Sequence, residues 1–154
     1  MQLSRDATAI VFHDYHLGRL TSETCALARH SAWALSEVVL TGGQDTIPSL
    51  KQTLALVAGR VPLLIEIKDQ DGNMGCNVGP LEEAVAAALE SYDGDVAVMS
   101  SNPNAVAAFA TLSPEITVGL VTDRFAATDW PTLSPSTREQ LRNISDFDRV
   151  SACF

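Results

Sequence analysis

At 154 residues, with 46% hydrophobic and 19% charged residues, the chain is long enough for one domain with a sizeable core and too apolar for a disordered segment. A formal net charge of −9 argues against a nucleic-acid backbone or an anionic membrane as the main partner, because both reward Lys and Arg; a phosphate-bearing small molecule stays compatible, since one metal ion can reverse the local field. No basic leader precedes an apolar stretch and no run approaches the ~20 apolar residues of a membrane span, so membrane insertion is not expected and the cytoplasm is the default location.

In chain order, Gln2 to Asp14 reads as a strand, a turn near Arg5-Asp6-Ala7 and a second strand, Ala9-Ile-Val-Phe-His-Asp14, rising to His13. A polar, irregular stretch follows to about Pro48, with a short helix or turn around Trp33 to Val38; a connection this long is often functional. Ser49 and Gln52 form a capping box for a helix running to about Ala58, stopped at Gly59. Val61 to Lys68 is then a buried strand, and the loop from Asp69 to Pro80 carries Gly72, Gly75 and Gly79. Leu81 to Tyr92 is helical by its apolar spacing at Leu81, Ala84, Val85, Ala88 and Leu89. Val96 to Ser100 is a strand, and Asn102 with Pro103 starts a helix running to about Leu112. Ile116 to Thr122 is a strand, Pro135 to Ser145 a helix, and Val150 to Phe154 the start of another strand. Cys25, Cys76 and Cys153 are odd in number and far apart, which predicts buried or free thiols rather than a disulfide framework or a zinc site.

This βα alternation with near-continuously apolar strands predicts an α/β fold of parallel strands covered on the outside by helices. A doubly wound sheet and a (β/α)₈ barrel both fit, but no Gly-x-Gly-x-x-Gly follows a strand, which removes the main support for a dinucleotide fold. A full barrel needs about 250 residues. The chain supplies roughly five βα units and ends inside an apolar run at Phe154, which predicts a cut chain.

Two strand ends carry ionisable groups: His13 and Asp14 in the first, Glu66 and Lys68 in Leu63-Leu-Ile-Glu-Ile-Lys68. With Gln2-Leu-Ser-Arg-Asp6, Leu17-Gly-Arg-Leu-Thr21 and Ile47-Pro-Ser-Leu50, they form an ordered set over residues 1–68 that resembles the glycerophosphodiester phosphodiesterase family, a metal-dependent TIM-barrel group. Beyond Lys68 the likeness is only to the βα rhythm, and the resemblance implies a partial (β/α)₈ TIM barrel of about five βα units, a single incomplete domain over residues 1–154. The family's His-Arg-Gly and Glu-x-Asp strand ends are absent, and Met1 stands where the family usually has an apolar residue such as Val, which predicts a truncated or internally started chain.

The resemblance implies a divalent cation, Mg²⁺ or Ca²⁺ by its all-oxygen ligands, with Glu66 as the retained metal carboxylate. It implies His13 as one of two acid–base histidines and Lys68 as a point charge on a phosphoryl oxygen. Asp14 would orient His13 or fix its loop, and Ser100, like Ser101, ends a strand where it could hydrogen-bond substrate. Taken singly, His13 is an ordinary satisfied histidine and Glu66 with Lys68 a solvated ion pair. Glu66 and Lys68 nevertheless share one face of an otherwise apolar strand, which points them into a barrel mouth. His16 and His30 read as surface histidines, Asp123 as a rim residue, a helix cap or a loop ion pair, and Glu82, Glu83 and Glu90 as a solvated helix face.

The implied reaction is hydrolysis of a small-molecule glycerophosphodiester to sn-glycerol 3-phosphate and an alcohol such as choline or ethanolamine, with the chain by itself nearly inactive. The alternative is a degenerate barrel remnant acting as a non-catalytic binding or assembly module, whose uncovered strand edges favour self-association. A third reading is a related barrel phosphodiesterase resembling sphingomyelinase D.

Overall fold

A computed structural model describes residues 1–145. Its first two strands, β1 (Gln2–Leu3) and β2 (Ala9–Ile10), pair antiparallel, with Gln2 opposite Ile10 and Leu3 opposite Ala9. The turn lies where expected: Ala7 takes a left-handed φ of 56°, and the Ser4 hydroxyl accepts from the Thr8 N–H at 2.9 Å while donating to Asp6 Oδ1 at 2.6 Å. So short a connection can join only antiparallel neighbours, because a parallel pair needs a long crossover. The run leading to His13 is therefore a hairpin arm and not a parallel barrel strand, and it is extended for less of its length than its apolar character predicts.

After Ile10 the arm pairs with the segment before α2 (Leu50–Val57): Val11 N–H donates to Pro48 O at 2.9 Å, and Ile10 bridges Ser49. The connection between them has a small core of its own, in which Ile10, Phe12, Leu17, Leu27, Leu35 and Ile47 are all buried. Two 3₁₀ turns, Leu17–Arg19 and Leu27–Arg29, and the short helix α1 (Ala32–Ser36) supply three of these side chains, Leu17, Leu27 and Leu35.

The predicted capping box starts α2, with Ser49 Oγ accepting from Gln52 N and Gln52 Oε1 accepting from Ser49 N. Ala58 in the left-handed region and Gly59 at φ 70° end it. Then come β3 (Leu63–Glu66), α3 (Pro80–Leu89), β4 (Val96–Ser100), α4 (Pro103–Leu112), β5 (Thr117–Leu120) and α5 (Pro135–Ser145). The strands β3, β4 and β5 form a parallel sheet in that order, with Ile65 opposite Val98 and Val98 opposite Val118. Backbone bonds from Met1 N to Glu66 O and from Lys68 N to Met1 O lay the start of β1 beside the end of β3 in a parallel pattern.

On the outer face, Ile65, Ile67 and Val98 pack against Leu81, Val85 and Phe109. Burying a side chain such as Phe109 fully contributes about 1.5–3 kcal/mol. The opposite face of β3 carries Leu64, Glu66 and Lys68 by strand alternation, and Leu64 is 64% exposed. Among the described residues no helix is long and apolar enough to cross a membrane. Cys25 and Cys76 are free and exposed rather than buried. Cys153 and the strand predicted from Val150 lie outside the described residues.

Candidate active site

The hairpin arm, the end of β3 and the loop after β5 converge on a cavity of about 500 Å³ whose walls include Gln2, His13, Asp14, Arg19, Lys68 and Trp130. His13 and Lys68, predicted from separate strand ends, thus share one cavity. His13 sits where the arm leaves its short pairing, and the buried Gln2 steadies it by donating from Nε2 to His13 O at 3.0 Å.

Asp14 Oδ1 lies 2.7 Å from His13 Nδ1. Arg19 closes on the same carboxylate, with Nε 2.5 Å from Oδ2 and Nη2 3.0 Å from Oδ1. The Arg19 hydrogen bonds, then the His13 bond, hold the Asp14 carboxyl down at about 2, so it is ionised throughout the neutral range.

Lys68 Nζ stands 2.8 Å from Glu66 Oε2, both side chains mostly shielded from solvent, so the two charges on the inner face of β3 offset one another. Glu66 does not line the cavity that holds His13 and Lys68. Among the described residues no group of three or more His, Cys, Asp or Glu side chains is placed to hold a metal ion. A single carboxylate already paired to a lysine does not make a cation site, because Mg²⁺ and Ca²⁺ need six or more oxygens about them.

Ser100 is placed differently from expectation. It is 1% exposed, and its hydroxyl accepts from the Asn102 N–H at 3.1 Å, so its side chain faces the packed side of β4 and not the cavity. Its neighbour Ser101, on the opposite face, lines the cavity instead. Glu82 corrects the reading of a solvated face: it is buried and accepts from the Gly79 N–H at 2.6 Å, capping α3. Asp123 accepts from Trp130 Nε1 at 2.7 Å and from the Arg124 N–H at 2.6 Å, which lowers its carboxyl pKa. His16, read as a surface histidine, is exposed and also borders the cavity.

Sequence reasoning missed Tyr15, Asp69, Met74 and Trp130 in this wall. Tyr15 donates from its hydroxyl to Asp69 O at 2.6 Å, and Trp130 packs its ring 5.3 Å from that of Phe125. Tyr15 and Asp69 could have been noticed as neighbours of Asp14 and Lys68, whereas nothing local marks Trp130. A larger cavity, about 660 Å³, lies where α2 and α3 end, with Lys51, Tyr92 and Asp93 among its walls, but no histidine lines it.

The family described as the glycerophosphoryl diester phosphodiesterase family matches residues 1–149. Comparison with curated protein sequences finds no match. Among solved structures, the chain is similar to an Oleispira antarctica phosphodiesterase in complex with the product sn-glycerol-3-phosphate, at 22% identity and a TM-score of 0.70, covering 94% of this chain and 57% of that one. A glycerophosphodiester phosphodiesterase from Agrobacterium tumefaciens matches at 21% identity and 0.63, covering 76% and 50% of the two chains. A glycerophosphoryl diester phosphodiesterase domain from Mycobacterium tuberculosis matches at 19% and 0.62, covering 97% and 52%. The chain thus spans about half the length of these structures. Likeness at such low identity shows the fold, and with the parallel sheet and outer helices it establishes a partial (β/α)₈ barrel. The chain belongs to the glycerophosphoryl diester phosphodiesterase family.

Proposed function

We propose that the chain is the part of a phosphodiesterase that binds the phosphoryl group of a glycerophosphodiester and moves a proton during its hydrolysis to sn-glycerol 3-phosphate and an alcohol. The observation that carries this reading is the placement of His13 and Lys68, from distant segments, on one cavity within a chain of this family. Lys68 supplies positive charge where a phosphoryl oxygen gains negative charge. His13, held through Nδ1 by an ionised Asp14, presents Nε2 as the atom that takes a proton from water or gives one to the leaving alkoxide.

Family membership goes with a divalent cation, Mg²⁺ or Ca²⁺ in this reading. Glu66 is the candidate ligand, but its pairing to Lys68 and the lack of a carboxylate cluster among the described residues do not fit a complete site. No step is assigned through the ion. Each missing catalytic group commonly costs about a hundredfold or more. The 154-residue chain is therefore nearly inactive by itself toward glycerophosphocholine, with either cation supplied.

Titration of the ¹⁵N-labelled chain with sn-glycerol 3-phosphate tests the reading. Resonances of His13, Arg19 and Lys68 should shift together and saturate. Shifts confined to the cavity between α2 and α3, or no saturable shift, would overturn it.

A further inference from the structure

We propose that Arg19 is a positioning residue for His13, acting through Asp14: its guanidinium clamps the Asp14 carboxylate in the orientation that holds the imidazole by Nδ1 and leaves Nε2 for the phosphodiester. The inference rests on His13 being the acid–base group of the proposed reaction.

Three contacts carry it. Arg19 meets Asp14 with two nitrogens, Nε at 2.5 Å from Oδ2 and Nη2 at 3.0 Å from Oδ1, and Asp14 Oδ1 lies 2.7 Å from His13 Nδ1. A forked guanidinium fixes both oxygens of a carboxylate in one plane, which a single point charge does not do. An ionised carboxylate can only accept, so Nδ1 carries a proton, and in the neutral imidazole this tautomer leaves the lone pair on Nε2.

The clamp has a fixed mounting. Arg19 ends the 3₁₀ turn Leu17–Arg19, and Leu17 is fully buried in the small core beneath it. The Thr21 hydroxyl donates to Leu17 O at 3.1 Å, and the Leu17 N–H donates to Cys25 O at 3.1 Å. The His13 ring has no such support, since its side chain is 67% exposed. Its orientation therefore depends on Asp14, and that of Asp14 on Arg19. With Arg19 itself 60% exposed, the pair adds little to stability, which leaves orientation as its effect.

Long-range ¹H–¹⁵N spectra of the imidazoles in the 154-residue chain, recorded above the histidine titration range, read the tautomer without any turnover. Signals of His13 are identified by their loss in His13→Ala. The wild type should show His13 protonated at Nδ1. In Arg19→Gln that signature should give way to a mixture of both tautomers while His16 and His30 stay unchanged, and Arg19→Lys should restore it only in part. An unchanged His13 tautomer in Arg19→Gln overturns the proposal. The same result together with weaker sn-glycerol 3-phosphate binding overturns it too and assigns Arg19 to the ligand. If the tautomer responds as expected but sn-glycerol 3-phosphate perturbs neither His13 nor Lys68, the clamp stands and the functional reading falls.

Discussion

Asn102 Nδ2 lies 2.7 Å from Asp69 Oδ1, and both side chains are buried, so the first turn of α4 is tied to the loop that leaves β3. The same Asn102 nitrogen donates to Gly75 O at 2.9 Å, and its Oδ1 accepts from the Asn104 N–H at 2.9 Å. One amide thus satisfies a buried carboxylate, caps a helix and pins the loop that presents Met74 to the cavity. Asp69 completes its own pairing by accepting from the Met74 N–H at 3.1 Å.

Asn102→Ala should destabilise the chain by about 2–4 kcal/mol, because it removes a cap and leaves a buried carboxylate short of a partner. Urea unfolding measures it. A loss below about 0.5 kcal/mol, the range of ordinary surface changes, would mean the tie is not made in solution.

Lys68→Met keeps the aliphatic stem but removes the charge facing both Glu66 and the cavity. A charge-assisted hydrogen bond is worth about 1.5–3 kcal/mol, so affinity for sn-glycerol 3-phosphate should fall roughly tenfold to a hundredfold. Calorimetric titration reads the change, and equal affinity in wild type and variant would remove Lys68 from the phosphoryl site.

The Asp14 carboxyl titrates near 2 in the fold instead of at its ordinary 3.8, first through the Arg19 hydrogen bonds and then through His13. A lowered folded pKa means stability that is fully present above the unfolded value and is lost as pH falls through the folded one. The Asp14 share should therefore be intact above about pH 4 and disappear between about pH 4 and 2. Carboxyl ¹³C shifts should place this titration near 2 in the wild type and closer to 3.8 in Arg19→Gln. An unmoved midpoint in the variant would contradict the pairing.

Leu64 is 64% exposed on the inner face of the sheet, and among the described residues β5 pairs on one side only. An apolar face beside an open strand edge favours association with another copy. Light scattering should detect concentration-dependent oligomers that Leu64→Lys shifts toward monomer. A wild-type chain that stays monomeric at high concentration would exclude this.

Much of the fold was legible because its signals are local. The helix cap at Asn102, the capping box at Ser49 and Gln52, and the apolar spacing of Leu81, Val85 and Leu89 each depend on residues within a turn or two, and the elements they predict are present. The burial of Glu82 escapes such local signals for the complementary reason. Helical spacing places it beside Glu83, but its hydrogen bond to Gly79 N–H and the packing about the first turn of α3 bury it. The placement of Ser100 is not legible locally, because a strand end has two faces and only the packed helix α4 decides which one is closed. The hairpin shows the same limit: Ala9 to His13 has the composition of a buried parallel strand, and the turn at Ala7 turns its first residues antiparallel.

By itself the sequence determined the βα order, the family resemblance over residues 1–68, and the candidates His13, Glu66 and Lys68, since residue type and short-range spacing encode all of these. Only the tertiary structure decided that His13 and Lys68 share a cavity, that Glu66 is spent on Lys68, and that Arg19, Asp69 and Trp130 stand with them. Those relations join residues far apart along the chain, and they exist only where packing of the core brings the loops together.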